Sequence, residues 1–271
     1  MRILQKTLDN TLVDIQHIKN EKAQGTILLW PCGMGDIHSS LYENYRDIFK
    51  DFDLILYNPR AHGNSHGYYC FEQAVKDAIY FTKNMEIRLP LYGIGHSAGG
   101  TGILKLANIL PFQKLFLFSP VLDSRQALEF MYKEKYQYLF TKLFCGERKY
   151  NPKLWDVLIE GKWLDIDYWE KIKDSIDNKT SSYLSIKKSM ESVAHPGYNV
   201  STEIAQHREK ILTFIPEKDL WFSIDTQLST AKSLGITIAS IHKARNHFFK
   251  RRWNGIWTLL LQIINDKASY E

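Results

Sequence analysis

Residues 91–100, Leu-Tyr-Gly-Ile-Gly-His-Ser-Ala-Gly-Gly, constrain the fold of this chain more than any other stretch of it. A short apolar, strand-like run passes directly into Gly95-His96-Ser97-Ala98-Gly99, and a helical pattern follows at once. A strand that turns sharply into a helix holds its turning residue at strained backbone angles. It also needs small residues two places either side, so that strand and helix can pass closely. Such a turn lifts the Ser97 hydroxyl above the carboxyl edge of a sheet. It sets the Ala98 N–H at a helix N-terminus, aimed where an oxyanion would develop. The segment therefore predicts a layered α/β fold with Ser97 as a nucleophile; the plainer alternative is a structural glycine turn.

The rest of the chain fits that frame. Residues 2–8 and 11–18 flank the turn pair Asp9-Asn10 and read as an opening hairpin. Apolar runs at 26–30, 54–57, 89–94, 114–119, 210–215 and 236–241 read as buried strands, because a parallel sheet covered on both faces requires near-continuous apolar sequence. Leu41, Tyr45, Ile48 and Phe49 form one helical stripe, and Phe71, Ala74, Val75, Ala78 and Ile79 form another. Strands alternating with helices predict a mostly parallel, doubly wound sheet built from right-handed βαβ units.

The alternation stops at Asp123 and resumes at about Arg208. The sequence thus divides into an α/β core, 1–123 with 208–271, and a mostly helical insertion, 124–207, on one edge of the sheet. Within the insertion, Tyr132, Tyr136, Leu139, Phe140, Leu143 and Phe144 recur at three- and four-residue steps. That face either packs on the core or roofs the serine as an apolar pocket for acyl chains.

Leu28-Leu29-Trp30-Pro31-Cys32-Gly33-Met34-Gly35 and Asn58-Pro59-Arg60-Ala61-His62-Gly63-Asn64-Ser65 carry a resemblance, together with the serine turn. The chain resembles the α/β-hydrolases, of the capped kind that includes esterases, monoglyceride-lipase-like enzymes and serine-aminopeptidase-like enzymes. The first segment resembles the family strand that ends in His-Gly, where a loop N–H completes the oxyanion hole. The resemblance implies Met34 as that donor, beside Ala98. The second segment resembles the family's Asp-x-Arg-Gly-x-Gly-x-Ser loop. Cys32 stands where the family has His, Asn58 where it has Asp, and Ala61 where it has Gly.

A hydroxyl is a weak nucleophile at neutral pH and needs a base, which in turn needs an orienting acid. In this fold the chain order runs Ser, then acid, then His. Pro216-Glu217-Lys218-Asp219 resembles the Gly-x-x-Asp turn of the family and points to Asp219, with Pro216 replacing Gly; Asp123 and Glu217 are rivals. His247 fits the register of the terminal loop, where a histidine precedes an aromatic and the last helix; His242 falls at the strand end.

Other features read more plainly. His62 and His66 surround glycines, so no helix presents them jointly to a metal. His96 reads as a packing or hydrogen-bonding residue, and His38 follows the oxyanion loop. Lys250-Arg251-Arg252 near the last helix reads as a solvated run. A net charge of +5 falls short of a nucleic-acid footprint. Three scattered cysteines, with no C-x-x-C spacing, form neither a zinc site nor a disulfide framework, and nothing beside Cys32 would activate it. The first residues lack a signal peptide's apolar run, and the apolar stretch 255–264 is too short to span a bilayer. The expectation is a cytoplasmic serine hydrolase of an apolar carboxylic ester, without cofactor or metal and without nucleic-acid or membrane contact. Thioesterase, peptidase or acyltransferase chemistry would use the same residues. The rival from another class is a ligand-binding protein of hydrolase fold with little turnover.

Overall fold

The computed structural model describes residues 4–33, 35–67, 70–123, 126, 130, 199–219 and 221–266. Within them eight strands form one sheet: β1 (Leu4–Lys6), β2 (Leu12–Ile18), β3 (Thr26–Trp30), β4 (Asp53–Asn58), β5 (Leu91–His96), β6 (Phe112–Phe118), β7 (Ile211–Pro216) and β8 (Thr237–Ile241). Their spatial order is β1-β2-β4-β3-β5-β6-β7-β8. The opening hairpin supplies the two antiparallel pairings, β1 with β2 and β2 with β4, and every pairing from β4 to β8 is parallel. This is the mostly parallel, doubly wound sheet that the alternation of runs predicts.

Side chains alternate across the pleat and divide the core in two. Ile15, Leu28 and Ile55 lie on one face with Ala74 and Ala78 of α2 (Phe71–Lys83), Ile103 and Leu106 of α3 (Ala98–Leu106), Ile204 of α4 (Ser201–His207) and Ala231 of α5 (Ile224–Leu234). Ile27, Leu29, Leu54 and Leu56 lie on the other with Tyr45 of α1 (Tyr45–Ile48) and Trp253, Ile256, Trp257 and Leu260 of α6 (Trp253–Asn265). On that second face the Trp253 and Trp257 rings stack with centroids 4.6 Å apart. Aromatic burial of this kind contributes about 0.5–1.5 kcal/mol per pair beyond the area term.

Local details depart from the sequence pattern for identifiable reasons. The stripe at 41–49 does not form one helix. Asn44 takes a left-handed conformation, φ 66°, and separates a 3₁₀ turn at Ser40–Tyr42 from the single turn of α1. Asparagine tolerates that region better than most residues, so it marks the break. β5 begins at Leu91 rather than 89, since Pro90 has no N–H to give a ladder. β8 is apolar in sequence yet lies at the sheet edge and is largely exposed. Composition alone does not separate an edge strand from a central one.

Most of the expected helical insertion, with its aromatic stripe, lies outside the described residues. At its end, α4 seats Val200 and Ile204, both fully buried, in the core, and Lys105 of α3 donates to Glu203 at 2.8 Å. Among the described residues no helix is long and apolar enough to cross a membrane.

Candidate active site

The site is built at the carboxyl ends of β3, β5, β7 and β8. Ser97 sits between β5 and α3 at φ 56° and ψ −121°, a strained conformation for a residue with a Cβ. Its N–H donates to Phe118 O at 2.8 Å, which fixes the turn against β6. Close approach dictates the flanking glycines. A Cβ on Gly95 would meet Gly100 Cα and Gly99 O at 2.5 Å, and one on Gly99 would collide with the carbonyls of Trp30 and Pro31. The Ala98 N–H opens α3, where a helix has no internal acceptor to offer it.

Asp219 follows β7 and His247 follows β8. His247 Nδ1–H donates to Asp219 Oδ2 at 2.8 Å, with side chains 3% and 0% exposed. The other carboxylate oxygen, Oδ1, accepts the N–H groups of Trp221 at 2.7 Å and Phe222 at 3.2 Å. Three donors thus fix the carboxylate, and the carboxylate fixes the imidazole with Nε2 unprotonated in the neutral ring. Aromatic rings confine that imidazole: Phe222 at 4.9 Å, Phe248 at 5.3 Å and Trp221 at 5.9 Å between centroids. Among the described residues, neither Ser97 Oγ nor His247 Nε2 makes a hydrogen bond, although His96, the neighbour of Ser97, lies with its ring 5.3 Å from the His247 ring, tilted by 35°. Bonds of this type are often long before substrate binds.

The rival residues lie elsewhere. Glu217 Oε1 accepts from His242 Nδ1 at 3.0 Å and from the Lys243 N–H at 2.9 Å, so the second acid and the second histidine pair with each other near the surface. Asp123 is exposed and accepts the Gln126 N–H at 3.0 Å. Met34, the second oxyanion donor implied by resemblance, lies outside the described residues. Its neighbours form a tight turn in which the Gly35 N–H donates to Cys32 O at 2.9 Å. Burial pushes the Cys32 thiol up to about 11, so Cys32 is a packed, protonated side chain.

Behind this turn, buried polar groups anchor it in place. Asn58, at the end of β4, donates from Nδ2 to Asp14 Oδ2 at 3.2 Å and Asp36 Oδ1 at 2.8 Å, while its Oδ1 accepts the Ile37 N–H at 2.9 Å. Only an amide can donate to two carboxylates and accept an N–H together. This accounts for Asn58 where the resembled loop has Asp. Among the described residues, Asp14, Asp36 and His38 are the set whose ligand atoms, within 4.8 Å of one another, could share a cation. Asn58 and His38 (Nε2 3.4 Å from Asp14 Oδ2) already serve those oxygens. Burial opposes the Asp14 charge, but the donors from His38, Asn58 and Gln16 outweigh it and hold the carboxyl below its usual range. His38 is thereby occupied beneath the loop.

Arg60 is nearly buried and uses its whole fork. It donates to Asp77 of α2 at 2.7 and 3.0 Å and to Asp9 of the hairpin turn at 2.8 and 2.9 Å. Those contacts hold the Asp9 carboxyl far below its ordinary value. His62, 1% exposed, donates Nδ1–H to Arg60 O at 2.8 Å, and burial pushes its pKa down to about 4.

Sequence reading misses Tyr42. Its hydroxyl accepts the Cys32 N–H at 2.9 Å and lies 2.7 Å from His96 Nδ1, while His96 Nε2 lies 2.9 Å from the backbone oxygen of His247. The only sequence signal is an aromatic a few residues after the oxyanion loop, which gives no hint of these partners.

No protein-family model and no curated protein matches the chain. Solved structures do. An esterase from Pyrococcus furiosus superposes with a TM-score of 0.64 at 14% identity, covering 100% of this chain and 91% of its own. A hydrolase from Pseudomonas aeruginosa gives 0.64 at 15% identity, with 97% and 98% covered. A lipase-esterase related protein from Clostridium acetobutylicum gives 0.59 at 15% identity, with 92% and 98% covered. With these likenesses and its eight-stranded, mostly parallel sheet, the chain has the α/β-hydrolase fold.

Proposed function

We propose that this protein is a serine hydrolase that cleaves a carboxylic ester through an acyl-enzyme on Ser97. One observation carries the reading: a strained serine at the head of α3, φ 56°, whose neighbour His96 lies 5.3 Å from the ring of a buried histidine, itself held at Nδ1 by a carboxylate that accepts three hydrogen bonds. In this reading His247 Nε2 takes the Ser97 proton as Oγ attacks the acyl carbonyl. Asp219 keeps the imidazole in the accepting tautomer and stabilises its charged form. The N–H groups of Ala98 and Met34 receive the oxyanion; losing one such donor typically costs about 100–1,000-fold in rate. His247 returns the proton to the leaving alkoxide, then draws a proton from water to hydrolyse the acyl-enzyme. The chemistry needs no cofactor. Ester cleavage is favoured over amide or thioester cleavage by the names of two structural neighbours, an esterase and a lipase-esterase related protein. An apolar acyl group suits the aromatic residues around His247.

A second reading, a ligand-binding protein of the same fold, is favoured by one feature: the absence, among the described residues, of a bond between Ser97 Oγ and His247 Nε2. Intact mass after treatment with a fluorophosphonate separates the two. The hydrolase reading expects one adduct on the wild type and none on Ser97→Ala or His247→Ala. A well-folded wild type that takes no adduct sinks it and leaves the binding reading in its place.

A further inference from the structure

The Tyr42 and His96 side chains connect three backbone segments that the reaction needs in register. Tyr42 lies in the 3₁₀ turn after the oxyanion loop and is 1% exposed. His96 ends β5, immediately before Ser97, and is 2% exposed. A carbonyl only accepts, so the 2.9 Å contact between His96 Nε2 and His247 O places a proton on Nε2. Burial, with the His247 ring nearby, keeps His96 neutral, which leaves Nδ1 as an acceptor. Tyr42 must then donate its hydroxyl proton to Nδ1 across 2.7 Å, and its oxygen accepts the Cys32 N–H at 2.9 Å. Each of the four polar groups is satisfied, and only one arrangement of protons does this.

We infer that Tyr42 and His96 are positioning residues: together they tie the oxyanion loop at Cys32 and the base-bearing loop at His247 to the strand that presents Ser97. The inference rests on the hydrolase reading and adds to it. Surrounding contacts fit a fixed rather than adaptable link. The Tyr42 ring packs edge-on against His96 at 5.8 Å and against Trp253 at 5.0 Å, and Trp253 packs on His96 at 5.4 Å. Tyr42 thus touches no substrate in this scheme. It acts on the loop whose amide the oxyanion requires, and His96 acts on the backbone that carries the base.

The test compares Tyr42→Phe, His96→Leu and His96→Gln with the wild type. Turnover of a short-chain p-nitrophenyl ester is normalised to fluorophosphonate-titratable sites, and thermal unfolding is followed in parallel. Gln keeps a donor and an acceptor at nearly the imidazole spacing, whereas Leu keeps neither. Misplacement of reacting groups by about 1 Å costs on the order of 100-fold. Tyr42→Phe and His96→Leu are therefore expected to lower kcat by about 10–100-fold with KM within about threefold, and His96→Gln to recover most of the loss. Turnover of Tyr42→Phe or His96→Leu within twofold of the wild type overturns the inference, as does equal damage from Gln and Leu, which would mark mere packing. If Tyr42→Phe does not fold, the His96 pair decides. A wild type that neither labels nor turns over refutes the proposed function, and this inference with it. A wild type that labels, beside unaffected variants, refutes the inference alone.

Discussion

Gly99→Ala tests whether close contact between α3 and the end of β3 sets the geometry of the site. A Cβ at this position would face the carbonyl oxygens of both Trp30 and Pro31 at well under 3.0 Å, whereas ordinary contact begins near 3.4 Å. Neither obstacle is a flexible side chain, so the segment after β3 must withdraw by about 1 Å. Overpacking against backbone costs about 3 kcal/mol at the upper end of its usual range. The alanine offsets up to about 1 kcal/mol of this by its better helix propensity, which leaves a net loss of about 2 kcal/mol. The same withdrawal moves the oxyanion loop relative to Ser97, and a 1 Å error there predicts a fall in reaction rate of about 100-fold. Gly255→Ala in α6 is the control, since nothing lies within 4 Å of its added Cβ; it should gain about 0.5–1 kcal/mol and leave the rate unchanged. Urea unfolding and the rate of fluorophosphonate labelling measure both effects. A Gly99→Ala protein as stable and as reactive as the control would refute the argument that strand and helix touch there.

Three other perturbations have defined outcomes. In Asp219→Asn the carbonyl oxygen is held at the Oδ1 position by the Trp221 and Phe222 amides, so the NH₂ group faces His247 Nδ1 and forces the wrong tautomer. Ester turnover should drop about 10⁴-fold with little change in fold, and a loss below tenfold would sink this assignment. Arg60→Ala leaves the Asp77 carboxylate, 2% exposed, without its counterion and with Gln73 Nε2 still donating to it at 3.1 Å, and should cost about 3 kcal/mol in urea unfolding; a cost under 1 kcal/mol would mean the ion pair is replaced by water. His62 is held at about 4 in the folded chain against its ordinary 6.5, so its contribution to stability is present above about pH 6.5 and is lost as the pH falls towards 4. At 1.36 kcal/mol per pH unit this reaches about 3 kcal/mol, and it should be absent from the slope of stability against pH in His62→Gln. Parallel slopes for variant and wild type between pH 6.5 and 4.5 would show that His62 is not the titrating group.

How far the sequence foretells this architecture depends on the range of the interaction. The turn at Ser97 is legible because its requirements are local: a strand before, a helix after, and glycines where backbones cross. The contact between Asp219 and His247 is legible only through the resemblance of their two loops to a family pattern, since the residues alone leave Glu217, Asp123 and His242 as rivals. The Tyr42 network is not legible. Its partners lie 10, 54 and, through His96, 151 residues away, and no periodicity encodes such pairings. Asn58 is visible as a departure from a resembled pattern, but its reason, two carboxylates contributed by β2 and the loop at Asp36, exists only in three dimensions. The exposed position of β8 is hidden likewise, because Ile-rich sequence suits the edge of this sheet as well as its middle.

The pairing of β6 with β7 has a consequence for synthesis. These strands are adjacent in the sheet, yet about 90 residues of chain separate Phe118 from Ile211, and bringing together two points that far apart along an unfolded chain costs about 4 kcal/mol beyond a constant. Strands β1 to β6 can assemble as they leave the ribosome, so Ser97 and its strained turn are completed early. Asp219 and His247 belong to the last quarter of the chain and arrive only when β7 and β8 dock. On the proposed reading, a nascent chain therefore carries Ser97 without its base. The hydroxyl would be activated only after β7 and β8 have added to the edge of the sheet.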